Sequence, residues 1–210
     1  MADKKPDLQS AYALSSPEDN RKLYAEWAES YDQSFATDED YQLHIRTAQA
    51  FVSAGGQGPV LDVGAGTGLC GEVLAELGVG PIDACDISAE MLDQAMHKDI
   101  YRDAIVSDLN DGIPVPRASY SGLVSSGMFT HGHVGPTVLP GLLRVARRGA
   151  LCALSINAEH FANQGFEQAL RELDVDRVGS VTITDVRIYG NKATGPHRDD
   201  IARIVVFEVF

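Results

Sequence analysis

Apolar and polar positions recur along this chain with two different periods, and the switches between them mark out the elements. From Ser16 the stretch SSPEDNRKLYAEWAES reads as a helix, with a serine cap, Pro17 at its first position, and Glu18 and Asp19 in the first turn. Leu23, Tyr24, Trp27 and Tyr31 fall at three- and four-residue spacing, which gathers an aromatic face. A second amphipathic helix is predicted from about Asp38 to Ser53, with Leu43, Ile45, Ala48, Phe51 and Val52 on its apolar side. Gly55, Gly56 and Gly58 end it.

Beyond Pro59 short apolar runs alternate with helical ones. PVLDVGA, PIDACDI, DAIVSDL, SYSGLVSSG and GALCALSIN read as strands, separated by the helical runs GLCGEVLAELG, SAEMLDQAMHK and PTVLPGLLRVARR. FEQALRELD is one more helix, and SVTITDVRIYG and IARIVVFEVF are two last strands joined by the loop NKATGPHRDD. Strand–helix alternation predicts parallel strands with right-handed crossovers, an α/β doubly wound sheet. The last two strands have no helix between them and predict an antiparallel C-terminal hairpin at one end of that sheet. In such sheets ligands sit at the carboxyl ends of the strands, where the strand order reverses.

The 210 residues, 44% of them apolar, suffice for one well-cored domain, or a domain with a small appendage. They divide into an N-terminal helical cap over residues 1–54 and a core over 55–210, with a frayed polar start at residues 1–7. Lys and Arg number 17 against 30 Asp and Glu, a net charge of −13. That balance opposes phosphate backbones and anionic lipid, and predicts neither a nucleic-acid nor a membrane partner. Cys70, Cys85 and Cys152 lie among apolar neighbours with no Cys/His cluster, which reads as reduced core thiols without metal. The opening MADKKPDLQS lacks an apolar targeting stretch, and no run is long enough to span a bilayer, so a cytoplasmic location is expected.

The most informative stretch is VLDVGAGTG, residues 60–68. A buried strand carrying Asp62 runs into Gly64, Gly66 and Gly68, and a helix starts directly after. Glycine allows the sharp turn and lets a ligand lie on bare backbone, while the first N–H groups of the helix favour an anionic group. The third glycine of a dinucleotide fingerprint would fall at Leu69, so the spacing here is GxGxG. Asp86 ends the second strand 20 residues after Gly66, where an acid accepts both ribose hydroxyls; its other reading is a cap for the helix at Ser88. Asp108, after the third strand, could accept an adenine amine or form an Asx turn into LNDG.

VLDVGAGTG, then DISAEMLDQA, then an acid after the third strand, resembles the class I S-adenosylmethionine-dependent methyltransferases of small-molecule type. The resemblance runs from about residue 20 to the C-terminus. It implies a Rossmann-like seven-stranded sheet, an N-terminal helical lid, and S-adenosyl-L-methionine as cofactor with S-adenosyl-L-homocysteine as product. It implies Gly64, Gly66 and Gly68 around the cofactor's amino-acid portion, Asp86 on the ribose, Asp108 near the adenine, and Ile87 and Leu109 on either side of that ring. The Pro-Gly-Gly common before strand five is replaced by Arg148, Gly149 and Ala150. SSGMFTHGHVGP with LPGLLRVARRGAL is similar to the methyltransferase-like group named after the Williams–Beuren syndrome critical region.

Two regions suit the chemistry. Tyr24, Trp27 and Tyr31 could cover a sulfonium with aromatic faces or simply pack on the sheet. Ser126, His131 and His133 belong to the glycine-punctuated stretch after strand four, which opens beside the transferred methyl, and either histidine could take a proton from the acceptor. The expectation is a methyltransferase acting on a small molecule. The alternatives are a nicotinamide-dependent oxidoreductase, opposed by the glycine spacing, and a cofactor-binding protein without catalysis.

Overall fold

In a computed structural model, residues 6–7, 10–11, 16–173 and 178–210 are described. The frayed start expected at residues 1–7 falls largely on residues 1–5, and the end of the helix FEQALRELD on residue 174, both outside the described residues. Helix α1 spans Pro17–Trp27, and the Ser16 side chain caps it by accepting from the Asp19 amide. A π-helical turn follows at Asp32–Thr37, then α2 at Leu43–Ser53. The core runs β1 (Val60–Val63), α3 (Leu69–Glu76), β2 (Ile82–Asp86), α4 (Ala89–Met96), β3 (Tyr101–Val106), β4 (Tyr120–Phe129) and α5 (Leu139–Val145). It continues through β5 (Ala146–Asn157), α6 (Ala158–Asn163), α7 (Phe166–Glu172), β6 (Thr182–Arg187) and β7 (Ile201–Glu208).

Seven strands form one sheet in the order β3-β2-β1-β4-β5-β7-β6. β1 to β5 pair in parallel, and β7 is antiparallel to both β5 and β6. The predicted doubly wound sheet with a terminal hairpin is therefore the observed one. Alternation along the strands divides its side chains into two layers. Leu61, Val63, Leu123 and Leu154 are buried with Leu139, Leu142 and Phe166 from α5 and α7. Val60, Ile82, Val124 and Ala153 are buried with Phe51 of α2, Leu74 of α3 and Leu92 of α4. Phe51 fits because position 122 has no side chain: a Cβ on Gly122 would lie 2.4 Å from its ring.

A third cluster seats the N-terminal segment. Trp27, Phe35, Tyr41 and Leu43 are buried with Met91, Ile188, Tyr189 and Ala202. Tyr41 bridges Tyr189 in antiparallel fashion, the Gln42 amide donates to the Ile188 carbonyl at 2.9 Å, and the Gly190 amide donates to the Asp40 carbonyl at 2.8 Å. The segment after α1 is thus stitched to the turn following β6.

Two helix boundaries and one additional helix depart from the sequence expectation. The helix predicted through Arg148 stops at Val145, because Ala146 turns extended and pairs with Tyr120 while the Arg147 Nε donates to the Ala118 carbonyl at 3.1 Å. Pairing outweighs the helix preference of the two arginines. The second helix starts at Leu43 rather than Asp38, because residues 38–40 form a turn and Tyr41 is drawn into its bridge with Tyr189. α6 was not anticipated; the Asn157 side chain caps it, accepting from the Glu159 and His160 amides.

Candidate active site

The parallel strands end at one edge, and at the β1/β4 reversal of strand order a cavity of about 370 Å³ opens. β1 delivers the glycine loop to its floor. Gly64 and Gly66 take left-handed backbone angles, φ 69° and 56°, which a side chain would strain. A Cβ on Gly64 would also lie 2.7 Å from that of Met128, whereas one on Gly66 would meet nothing within 4 Å, so the Gly66 backbone faces open space. Gly64, Gly66 and Thr67 line the cavity; Gly68, at φ 92°, faces the Tyr101 ring instead.

Asp86 holds this loop. One carboxylate oxygen accepts from the Gly66 amide and the other from the Ser88 amide, each at 2.9 Å. Burial pushes the Asp86 pKa up, and these amides pull it back. The Ile87 amide adds to the two, so backbone N–H groups hold the carboxylate charged at the cavity wall. Ile87, Met91, Asp108 and Leu109 continue the wall. Asp108 accepts from the Asn110 amide and side chain at 2.9 Å, the Asx turn of the sequence alternative, while still lining the cavity.

Asp62 does not line the cavity. It is fully buried beneath the loop, where the Tyr101 hydroxyl donates to it at 2.7 Å. Burial raises its pKa to about 7, with the Asp86 charge adding to the rise and the Tyr101 bond opposing it. Its other oxygen is buried with no partner among the described residues.

The cap closes the top. Tyr24 and Tyr31 line the cavity, but Trp27 turns away into the third cluster, 1% exposed, with its indole N–H donating to Ser34 Oγ at 2.8 Å. Asn20, which the sequence reading passed over, donates from its side-chain nitrogen to the Gly132 carbonyl at 3.0 Å. Asp32, in the π-helical turn, accepts from Lys98 Nζ at 2.7 Å and from Thr67 Oγ1. Lys98 also pairs with Glu72. This cluster links cap, glycine loop, α3 and the turn after α4.

Ser126, expected in the stretch after strand four, lies within β4, which pairs on to Phe129. It lines the cavity with Gly132, His133 and Gly135 from the stretch beyond, and His131 stands outside it, 3.5 Å from Glu159. His133 Nε2 lies 3.1 Å from the Tyr24 hydroxyl, and its Nδ1 lies 2.9 Å from the His131 carbonyl. Burial lowers the His133 pKa. Tyr41, His44, His160 and Gln164 also line the cavity and were not singled out from sequence. The Asn157 cap was the available signal for His160, which it places at the third position of α6. His44 stacks on Tyr41 at 5.2 Å between ring centres, and burial lowers its pKa to about 4. Among the described residues no group of three His, Cys, Asp or Glu could hold a metal, and no helix is long and apolar enough to cross a membrane.

Residues 60–149 match the family profile described as a methyltransferase domain. Over 69 residues the chain is 39% identical to the 18S rRNA (guanine-N(7))-methyltransferase of Bos taurus, covering 31% of this chain and 23% of that protein. It therefore spans about a quarter of the length of that relative. Over 180 residues it is 27% identical to methyltransferase-like protein 27 of Homo sapiens, covering 81% and 70% of the two chains. The fold matches, among solved structures, the Burkholderia thailandensis 1,6-didemethyltoxoflavin-N1-methyltransferase bound to S-adenosylhomocysteine. That likeness has a TM-score of 0.60 at 18% identity, covering 94% of this chain and 92% of the other. The partner expectation, a small-molecule acceptor to the exclusion of nucleic acid, is overturned by the rRNA-methylating relatives. Net charge failed as a guide because it averages the whole surface and says nothing of a local site.

Proposed function

We propose that this chain, which has the fold and matched domain of a class I S-adenosylmethionine-dependent methyltransferase, binds S-adenosylmethionine on the glycine loop. We further propose that it methylates an acceptor admitted between α1 and the stretch after β4. The observation that carries this is the Asp86 clamp on Gly66, which presents bare backbone and a carboxylate side by side at the cavity floor. The cavity fits the cofactor: Gly64 and Gly66 would take its amino-acid portion, Asp86 the ribose, Ile87 and Leu109 the adenine faces, with Asp108 at that ring's edge. When bound, the cofactor supplies an electrophilic methyl on a sulfonium. Tyr24 and Tyr31 exclude water above it, and aromatic faces beside a cation contribute on the order of 1 kcal/mol.

Asp62 supports the loop from below, Trp27 anchors the cap, and Gly68 seats the start of α3 on Tyr101. His133 is the histidine placed to handle an acceptor's proton, with His131 behind it. The span and identity shared with methyltransferase-like protein 27 support placing the chain in the Williams–Beuren group.

Calorimetric titration with S-adenosylmethionine and S-adenosylhomocysteine, with NADH as control, tests the reading. Micromolar binding of the two sulfur ligands is expected. Failure of both, or tight binding of NADH, would overturn it.

A further inference from the structure

His133 has one chemically consistent protonation pattern. The His131 carbonyl, 2.9 Å from Nδ1, can only accept, so Nδ1 carries a hydrogen. The Tyr24 hydroxyl then sits 3.1 Å from an Nε2 that is a lone pair whenever the ring is neutral, and must be the donor. The groups facing the ring keep it neutral. Burial disfavours charge on it, the nearby His160 and His131 add to this, and among the described residues no carboxylate pairs with it. Glu159, the acid of the neighbouring α6, engages His131 instead. Asn20 fixes the same stretch by donating to the Gly132 carbonyl, so α1 and the histidine are held in register at two points.

Resting on the methyltransferase reading, we propose that Tyr24 and His133 form a proton relay, and that the acceptor is a protic group that loses its hydrogen on methylation: a hydroxyl, a thiol or a ring or amide N–H. As the acceptor atom X bonds to the methyl carbon, the carbon–sulfur bond breaks and its electron pair stays on sulfur. The X–H proton passes to the Tyr24 oxygen while the Tyr24 proton passes to His133 Nε2, leaving an imidazolium that discharges to water. A purine N7 has no hydrogen to lose and would leave the relay without work. The relay thus sets this acceptor apart from the guanine-N(7) chemistry named for the partial relatives.

Nitrogen-15 spectra of the imidazoles in the protein loaded with S-adenosylhomocysteine test the arrangement. At pH 7 His133 should show a protonated Nδ1 and a bare Nε2, and Tyr24→Phe should move the Nε2 signal alone. A protonated Nε2 at that pH overturns the relay. Tritium-methyl S-adenosylmethionine, incubated with the RNA and the small-molecule fractions of a cell extract, tests the chemistry and separates the two sources. Label on an oxygen, sulfur or formerly N–H nitrogen is expected in one fraction, with initial rates about a hundredfold lower in Tyr24→Phe and in His133→Gln. The double variant should lose little more, because the pair acts as a unit. Label recovered as N7-methylguanine, or no transfer to either fraction by protein that binds S-adenosylhomocysteine, overturns the proposal. Loss of that binding in the wild type sinks the methyltransferase reading instead.

Discussion

The Asp86 carboxylate and the Gly66 amide meet at 2.9 Å, joining the end of β2 to the middle of the glycine loop 20 residues earlier in the chain. Asp86→Ala would strand that N–H and the one on Ser88, at about 1–3 kcal/mol for each group left without an acceptor. The Kd for S-adenosylhomocysteine should rise at least tenfold, with a lower Tm. Asp86→Asn keeps a carbonyl oxygen and should fall between. Calorimetry on the three proteins decides, and equal affinity in all three would remove Asp86 from the site.

Asp62 makes stability depend on pH in a known direction. Its folded pKa, about 7, lies above the unfolded value near 4, so the stabilising contribution is complete below pH 4 and lost as pH rises through 7. The loss is on the order of 4 kcal/mol at most. Asp62→Asn should therefore be more stable than the wild type at pH 8, and the gap should close toward pH 4. Chemical denaturation across that window measures it; a gap that widens in acid contradicts the assignment.

Gly71 has no room to grow. A Cβ there would lie 2.1 Å from the Tyr101 hydroxyl that serves Asp62. Gly71→Ala should cost about 1–3 kcal/mol through overpacking, read as a lower denaturation midpoint, and should weaken cofactor binding as Tyr101 shifts. An unchanged midpoint would show that Tyr101 moves freely.

Lys98 latches the cap through Asp32 while holding Glu72. The two acids are 42% and 41% exposed, so Lys98→Met should change global stability by less than about 1 kcal/mol. Its effect should be local. Chymotrypsin should cut near Tyr31 faster in the variant, and S-adenosylhomocysteine should slow the cut in the wild type. Cutting that ignores both the ligand and the substitution would mean the cap is held by its aromatic cluster alone.

Much of this architecture can be read from period and punctuation. The alternation from Pro59 onward specifies the parallel strands, and the missing helix between SVTITDVRIYG and IARIVVFEVF specifies the hairpin. The glycine loop and Asp86 are legible because a tight turn and an acid at a strand end are local patterns. What was missed depends on distant partners. Trp27 shares a spacing with Tyr24 and Tyr31, yet turns into the core because Phe35, at 5.7 Å between ring centres, and Ser34 wait there. Tyr41, His44 and Asn20 reach the cavity through the seating of the cap, which no helical period encodes. The helix boundary at Val145 likewise answers to Tyr120, 26 positions away from the strand residue it pairs with.

The stitch between Tyr41 and Tyr189, with the Lys192 amide donating to Asp40 at 2.9 Å, also fixes an order of events during synthesis. Residues 17–41 leave the ribosome well before part of their docking surface, which includes Ile188, Tyr189 and Ala202. The cap cannot complete its seating until residue 202 has emerged, so the cavity over the glycine loop is roofed late. A chain ending before residue 188 would lack both β7 and the residues on which the cap seats.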